Sequence, residues 1–389
     1  MAMAPHAIPL SLYVHIPWCV KKCPYCDFNS HAREGALPVD AYIDAVLADL
    51  DRDRERFAQS IARREIVSVF FGGGTPSLFA PDAIARLIGG AGERIAFRDG
   101  AEITMETNPG TVEHGRFDEY LRAGVTRISF GVQSFDDDKL RRLGRIHSAG
   151  EADRAIKTAQ DAGFDDINLD LMYALPQQTL EGALADVERA LAFRPSHVSH
   201  YQLTLEPNTL FAAKPPPLPD TDAAWDIQEA CQRRLADAGY AQYEVSAYAR
   251  DGRRCAHNLN YWTFGDYLGI GAGAHGKITQ ADGAVVRSTK VKLPRSYLDR
   301  AGRGDAFGTF DDVEPEQLPF EFMLNALRLN GGVAIDTFEE RTGLSPGEIA
   351  KPLAEARERG WLEADSSALR PTEPGRRFLN DLIALFLPD

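Results

Sequence analysis

Residues 15–28 read HIPWCVKKCPYCDF, which puts Cys19, Cys23 and Cys26 within eight residues of a chain that holds five cysteines among 389 residues. The stretch follows LYVHIP from Leu12, a β-branched and aromatic run that reads as a strand. The C-x3-C-x2-C triplet therefore occupies a loop at the carboxyl end of a strand, the rim on which barrel proteins build their sites. Three thiolates suit iron and sulfide, and a four-iron cluster held by three of them keeps one iron open for a small molecule. Zinc is the alternative, with His15 or His31 as the fourth ligand.

Five further strand-like runs lie downstream: VSVFFG from Val67, ITMETN from Ile103, RISFG from Arg127, INLDL from Ile167 and HVSHYQL from His197. Amphipathic stretches separate them, with Ile43, Val46, Leu47 and Leu50 at helical spacing in one, and Ala152, Ala155, Ile156 and Ala159 in another. Strand and helix in alternation imply parallel strands with right-handed crossovers. The fold class expected is α/β, a partial (βα)6 barrel within residues 1–220. After KPPPLPD from Lys214 and a helix around Trp225 to Ala238, residues 221–311 loosen into Gly-rich turns and a hairpin near Ile278 to Val291. Residues 312–389 turn helical again, with Leu318, Phe322, Ala326 and Leu329, a GWLEADSSALRPT hairpin, and a last helix carrying Leu379, Leu382, Ile383 and Phe386. This order resembles a winged helix, a C-terminal α+β unit.

Composition excludes several classes. Lys and Arg total 43 against 57 Asp and Glu, a net charge of −14, so steering toward nucleic acid is not expected. The acidic C-terminal unit has no basic stripe, which points to structural or partner docking in place of DNA. An odd, clustered set of cysteines fits reduced thiols in the cytoplasm better than a disulfide framework. MAMAPHAIPL has neither the charged start nor the apolar core of a leader, and no apolar run is long enough to span a membrane.

Other polar residues fall at strand ends. GGGTPS, residues 72–77, closes the second strand; Gly73, Gly74 and Thr75 form either a tight turn or a place where backbone approaches a ligand. Glu106 in METNPG and Asp170 in NLDLMYALP read as rim carboxylates, Gln133 in GVQSF as a structural amide, and Arg145 lies in LGRIH. Cys231 shares a helix face with Ala224, Ile227 and Leu235 and reads as core. His147, His197, His200 and His275 stay without a role.

The cysteine spacing on that loop resembles the radical S-adenosylmethionine (SAM) superfamily, and the set of strand-end residues resembles its coproporphyrinogen oxidase-like group. The resemblance implies a 4Fe-4S cluster on Cys19, Cys23 and Cys26, with SAM on its open iron. It implies SAM contacts at Gly73, Gly74, Thr75, Glu106, Gln133, Arg145 and Asp170, and an aromatic SAM neighbour at Tyr13. The chemistry agrees, since SAM presents an amino group and a ribose diol to carboxylates and amides, and a carboxylate to an arginine.

Two departures separate the chain from the oxygen-independent coproporphyrinogen oxidases of that group. Phe28 stands where they carry a further cysteine, and only about ten residues precede the first strand, so no long N-terminal arm is expected over the substrate. Both departures resemble the heme chaperone branch, as does HNLNYW, residues 257–262. That resemblance implies a protein of porphyrin metabolism that binds heme through His257, Asn258, Tyr261 and Trp262 and transfers it to apo-hemoproteins of the respiratory chain. His257 supplies an imidazole, Cys255 is the alternative ligand, and Tyr261 and Trp262 are able to lie along the macrocycle. The plainer reading has His257 and Asn258 pinning a loop and Trp262 filling core. A decarboxylating radical enzyme is the rival function; peripheral membrane contact and a homodimer stay open.

Overall fold

The structure, a computed structural model, describes residues 7–111 and 117–388; the start of the stretch read for a leader lies outside them. Six parallel strands form its centre: β1 (Leu10–Ile16), β2 (Ile66–Gly73), β3 (Phe97–Thr107), β4 (Arg127–Gln133), β5 (Ile167–Tyr173) and β6 (His197–Gln202). Each of the six runs expected from the sequence is one of them. Helices follow the strands in the (βα) order: α1 (Val39–Arg56), α2 (Pro81–Arg94), α3 (Phe117–Arg122), α4 (Ala149–Asp161), α5 (Leu180–Ala192) and α6 (Thr221–Asp237).

Alternation along each strand explains the architecture. Leu10, Leu12, Val14 and Ile16 of β1, and Ile167, Leu169 and Leu171 of β5, belong to the apolar core beneath the helices. The intervening residues, Ser11, Tyr13 and His15 of β1 or Asn168 and Asp170 of β5, take the other face, so the barrel lumen is polar. Helix α4 buries Ala152, Ala155, Ile156 and Ala159 against this core, and its start is fixed by a reciprocal capping box between Ser148 and Glu151. Cys231 is buried with Ala224, Ile227 and Leu235 on α6, as its spacing predicts.

The sheet does not stop at β6. It continues through β7 (Ala241–Gln242), β8 (Ala247–Ala249), β9 (Asp266–Ile270), β10 (His275–Thr279), β11 (Val285–Lys290) and β12 (Gly308–Asp312), in the order β12-β11-β10-β9-β1-β2-β3-β4-β5-β6-β8-β7. Strand β9 is parallel to β1, and β10 and β11 are the expected hairpin. Between β8 and β9 lies a short helix, α7 (Ala256–Trp262), and between β11 and β12 lies α8 (Pro294–Arg303). Asp266, at the start of β9, is wholly buried with Arg64 Nη1 at 2.8 Å and Lys277 Nζ at 2.9 Å, which ties the added strands to the segment before β2.

Beyond β12 come α9 (Leu318–Ala326), α10 (Ile335–Thr342), α11 (Ala350–Glu358) and α12 (Leu379–Ala384). Val333–Ala334 pairs antiparallel with Ala368–Leu369, and Leu362 bridges Pro371, giving the wing of the expected winged-helix-like unit. Its core includes Phe322, Phe338, Leu353 and Leu382, and it takes in Ala247 and Val285 from the added strands and Tyr243 and Phe264 from the segments between them. Among the described residues no helix is long and apolar enough to cross a membrane.

Candidate functional site

A cavity of about 610 Å³ opens at the carboxyl ends of the barrel strands. It gathers residues from distant parts of the sequence: Cys19, Cys23 and Cys26 from the loop after β1; Gly73, Gly74 and Thr75 from the end of β2; Glu106 from β3; Gln133 from β4; Arg145; and Asp170 from β5. Tyr25, Ser199, Tyr201 and Glu206 also line it, and sequence reasoning did not single them out. The alternation of His197, Ser199 and Tyr201 on β6 was the available signal, since it places all three on the lumen face.

The cysteine loop is closed at its base, where Trp18–Cys19 pairs in parallel with His31–Ala32. Gly74 N–H donates to Ile16 O at 2.8 Å and Thr75 N–H to Trp18 O at 2.8 Å, so the glycine segment is stitched to that base. A Cβ on Gly73 would lie 2.4 Å from the His15 ring and one on Gly74 would lie 2.5 Å from Trp18 O. The glycines are thus required first by the chain's own close approach, and Gly73, at φ +105°, also by its backbone conformation. The three thiols are half-buried. Burial raises the pKa of Cys19 and of Cys26, so both are held as neutral thiols until a metal displaces their protons.

Of the two fourth ligands proposed for zinc, His15 has both ring nitrogens engaged and His31 has Nε2 engaged. His15 Nδ1 lies 3.0 Å from Tyr13 Oη and its Nε2 2.9 Å from Asn29 O; His31 Nε2 is 3.3 Å from Asn29 Oδ1. Among the described residues no three His, Cys, Asp or Glu side chains converge as a single metal ion requires.

Deeper in, the walls are acidic. Glu106 accepts from Gly73 N–H at 3.2 Å, and desolvation, with Asp170 adding repulsion, pushes its pKa up to about 8. Asp170 is held by Asn168 Nδ2 at 2.7 Å and Ser129 Oγ at 3.2 Å, and burial raises it too. Gln133 has the left-handed φ of +69° at a register shift in β4, and its Oε1 accepts from Tyr201 Oη at 2.8 Å. Arg145 donates to Gly131 O at 2.6 Å and reaches toward Cys23 Sγ at 3.7 Å, while its buried Nε has no partner among the described residues. Tyr13 does not line the cavity: its ring stacks toward Phe70 and His257, behind Gly72.

The HNLNYW segment is helix α7, at the opposite end of the barrel. Glu102, four residues before Glu106 on β3, accepts from Cys255 Sγ at 3.3 Å, Ala256 N–H at 3.1 Å and His257 N–H at 3.3 Å. The His257 side chain is 3 % exposed, stacked on Phe70 with ring centroids 4.8 Å apart and edge-on to Tyr261 at 4.7 Å. Its Nδ1 lies 3.5 Å from Ser68 Oγ, and burial drives its pKa down to about 3. Cys255 is 2 % exposed. Trp262 packs against the C-terminal core with the Arg328 guanidinium 4.6 Å over its ring. The structure thus buries the side chains of His257 and Cys255 beneath α7, and Trp262 packs against core, while Asn258 Oδ1 accepts from Cys255 Sγ at 3.4 Å within the same turn.

Residues 13–190 match the Radical SAM superfamily model and residues 313–378 the HemN C-terminal domain model. The chain is 51% identical over 385 residues to the heme chaperone HemW of Haemophilus influenzae, covering 99% of this chain and 100% of that protein. It is 52% identical over 381 residues to the heme chaperone HemW of Escherichia coli, covering 98% and 99%. Among solved structures, the coproporphyrinogen III oxidase HemN of Escherichia coli, a radical SAM enzyme, superposes with a TM-score of 0.82 at 25% identity, covering 99% of this chain and 91% of that one. By identity and by coverage along its whole length, the chain belongs to the HemW family of radical SAM proteins.

Proposed function

We propose that the chain binds heme and delivers it to apo-hemoproteins, respiratory enzymes among them, in the cytoplasm, and that a 4Fe-4S cluster and SAM occupy its barrel cavity. The observation that carries this reading is the 51% and 52% identity, over nearly the whole of both chains, to proteins named heme chaperones. The donor set fits the cofactors. Cys19, Cys23 and Cys26 would hold three irons from one loop closed at its base. Neither Glu106 nor Asp170 has a lysine or arginine hydrogen-bonded to it among the described residues, so the pair suits a ligand that brings its own cation and hydroxyl donors. The unpartnered Nε of Arg145 suits a carboxylate. Gly73, Gly74, Thr75 and Gln133 would complete the SAM wall, and Tyr13, behind Gly72, would shape it without touching. Cluster and SAM together supply one-electron chemistry when bound.

The test is heme transfer from the reconstituted full-length protein to an apo-cytochrome, with and without SAM. Cys23→Ala is expected to abolish the SAM dependence; transfer that keeps its SAM dependence in this variant would remove the cofactors from the process. Incubation with coproporphyrinogen III under anaerobic, reducing conditions is expected to yield no vinyl product. Joint formation of vinyl product and 5'-deoxyadenosine would replace the chaperone reading with the radical decarboxylase. A SAM-dependent homodimer and contact with the membrane surface at the recipient belong to the same proposal, and size-exclusion and vesicle flotation test them.

A further inference from the structure

Heme bound by this chain needs an iron ligand that the iron is able to reach, and the structure narrows the choice. Of nine histidines, His6 and His114 lie outside the described residues. Five of the other seven, His15, His147, His197, His200 and His257, are buried. Among the described histidines His31 and His275 remain, and both lie at one corner of the rim. Asn29 makes that corner: its Nδ2 donates to Ala272 O and Lys292 O, both at 2.9 Å, and so clasps the cysteine loop to the turn before β10 and the segment after β11. Gly273 is needed there, since a Cβ would lie 2.1 Å from the Asn29 amide.

The two histidines differ in what they have free. His31 Nε2 lies 3.3 Å from Asn29 Oδ1, and its ring also meets the backbone of Lys292. His275 Nδ1 lies 3.3 Å from Thr289 Oγ1, its cross-strand partner, and its Nε2 bonds to no described residue. A histidine that ligates a metal through one nitrogen ordinarily has the other fixed by a hydrogen bond, which sets tautomer and ring orientation. Burial and the cationic neighbours Lys292 and Arg287 lower the His275 pKa, which keeps the ring in its neutral, ligating form.

The chain neighbours of the clasped residues supply what a porphyrin needs besides an axial ligand. Phe28 and Leu293 flank Asn29 and Lys292, and at 59% each they are the most exposed large apolar side chains among the described residues. Lys22 Nζ reaches Phe28 O at 3.0 Å, and Lys292 lies beside Leu293, so two cations border the spot on a chain whose net charge is −14. An apolar plane with two carboxylates and a central iron is the ligand complementary to that combination.

Resting on the heme reading above, we infer that His275 Nε2 is the axial ligand of the heme iron, with the macrocycle over Phe28 and Leu293 and the propionates toward Lys22 and Lys292. This site lies at the cluster end of the barrel, on the surface, with α7 left in place. Its test is an anaerobic hemin titration of the full-length, cluster-reconstituted protein, following the Soret band, with circular dichroism establishing that each variant is folded. His275→Ala is expected to weaken binding at least about tenfold, while folded His257→Ala binds as the parent does. Because a merely structural histidine would not change the spectrum by its replacement, His275→Cys is the second arm: it is expected to give a thiolate-ligated Soret band. If the parent binds hemin saturably and His275→Ala binds equally well, or if only His31→Ala or His257→Ala fails, the placement at His275 is overturned and the heme reading stands. If the parent shows no saturable binding, the heme reading itself is overturned, and this site with it.

Discussion

Glu102 and Glu106 lie four residues apart on one strand, facing the same lumen, and they live under opposite conditions. At the amino end Glu102 accepts three bonds from the start of α7. At the carboxyl end Glu106 accepts one, from Gly73 N–H, and is pushed up to about 8. The same contrast recurs in the thiols and the imidazoles. Cys255 and His257 are sealed, whereas Cys23 and His275 face space and keep unused coordination capacity. A residue type therefore says little about role; the balance of satisfied and unsatisfied polar groups around it says more. One end of the barrel is finished by the chain itself, and the other is left for something else to finish.

The contrast can be broken at either end. The largest effect is expected from Cys23→Ala, which should eliminate the cluster: iron and sulfide content and the visible absorption of the reconstituted protein fall to background, with the fold retained by circular dichroism. Cluster retention at parental iron content would take Cys23 out of the ligand set. At the sealed end, His257→Ala should cost about 3 kcal/mol in denaturant unfolding through loss of packing against Phe70 and Tyr261.

That variant also carries a pH signature. With a folded pKa near 3 against an ordinary 6.5, the unfolded chain binds the extra proton between those values, so His257 contributes stability that is present above pH 6.5 and lost as pH falls toward 3. His147 and His200, each lowered to about 4 with burial the leading cause, act in the same sense. The stability of the parent is expected to fall below pH 6.5, and more steeply than that of His257→Ala; parallel profiles would mean that His257 is not buried as described.

Glu106→Gln should change stability in the opposite direction. A carboxyl raised from its ordinary value to about 8 makes the folded state bind more protons than the unfolded one, so stability declines as pH rises from about 4.5 to 8. Removing the charge is expected to stabilise the protein by about 2 kcal/mol at pH 8 and by little at pH 4, as thermal unfolding at the two pH values would reveal. A destabilised Glu106→Gln at pH 8 would show that Glu106 is as well satisfied as Glu102, and the contrast between the two ends would disappear. Smallest is Glu102→Gln, about 1–2 kcal/mol, because an amide oxygen still accepts from the start of α7 with part of the strength of a carboxylate. A change below about 0.3 kcal/mol would mean that α7 is held by its apolar contacts alone.

Much of this was legible in the sequence, and the losses have physical causes. The six barrel strands stood out because each is a dense β-branched or aromatic run between turn residues. Strand β9 did not, since DYLGI runs into GAGAHG and reads as part of a glycine-rich turn, although all five of its residues are buried beside β1. The cavity residues were found because they fall at strand ends, a property of local sequence. Which end of the barrel α7 occupies is a property of tertiary placement, and no spacing within HNLNYW encodes it. Glu102 escaped notice for the same reason, though its four-residue offset from Glu106 assigned it to the same face.

Asn29 has a consequence for how the molecule opens. Its amide holds residues 272 and 292 to the cysteine loop, and His31 N–H returns to Pro17 O at 2.7 Å across the base of that loop. Two segments more than two hundred residues apart in the chain are thereby fastened to each other, and their amides are expected to exchange with solvent as one cooperative unit. Whatever steadies the cysteine loop is then expected to slow exchange in the turn before β10 as well.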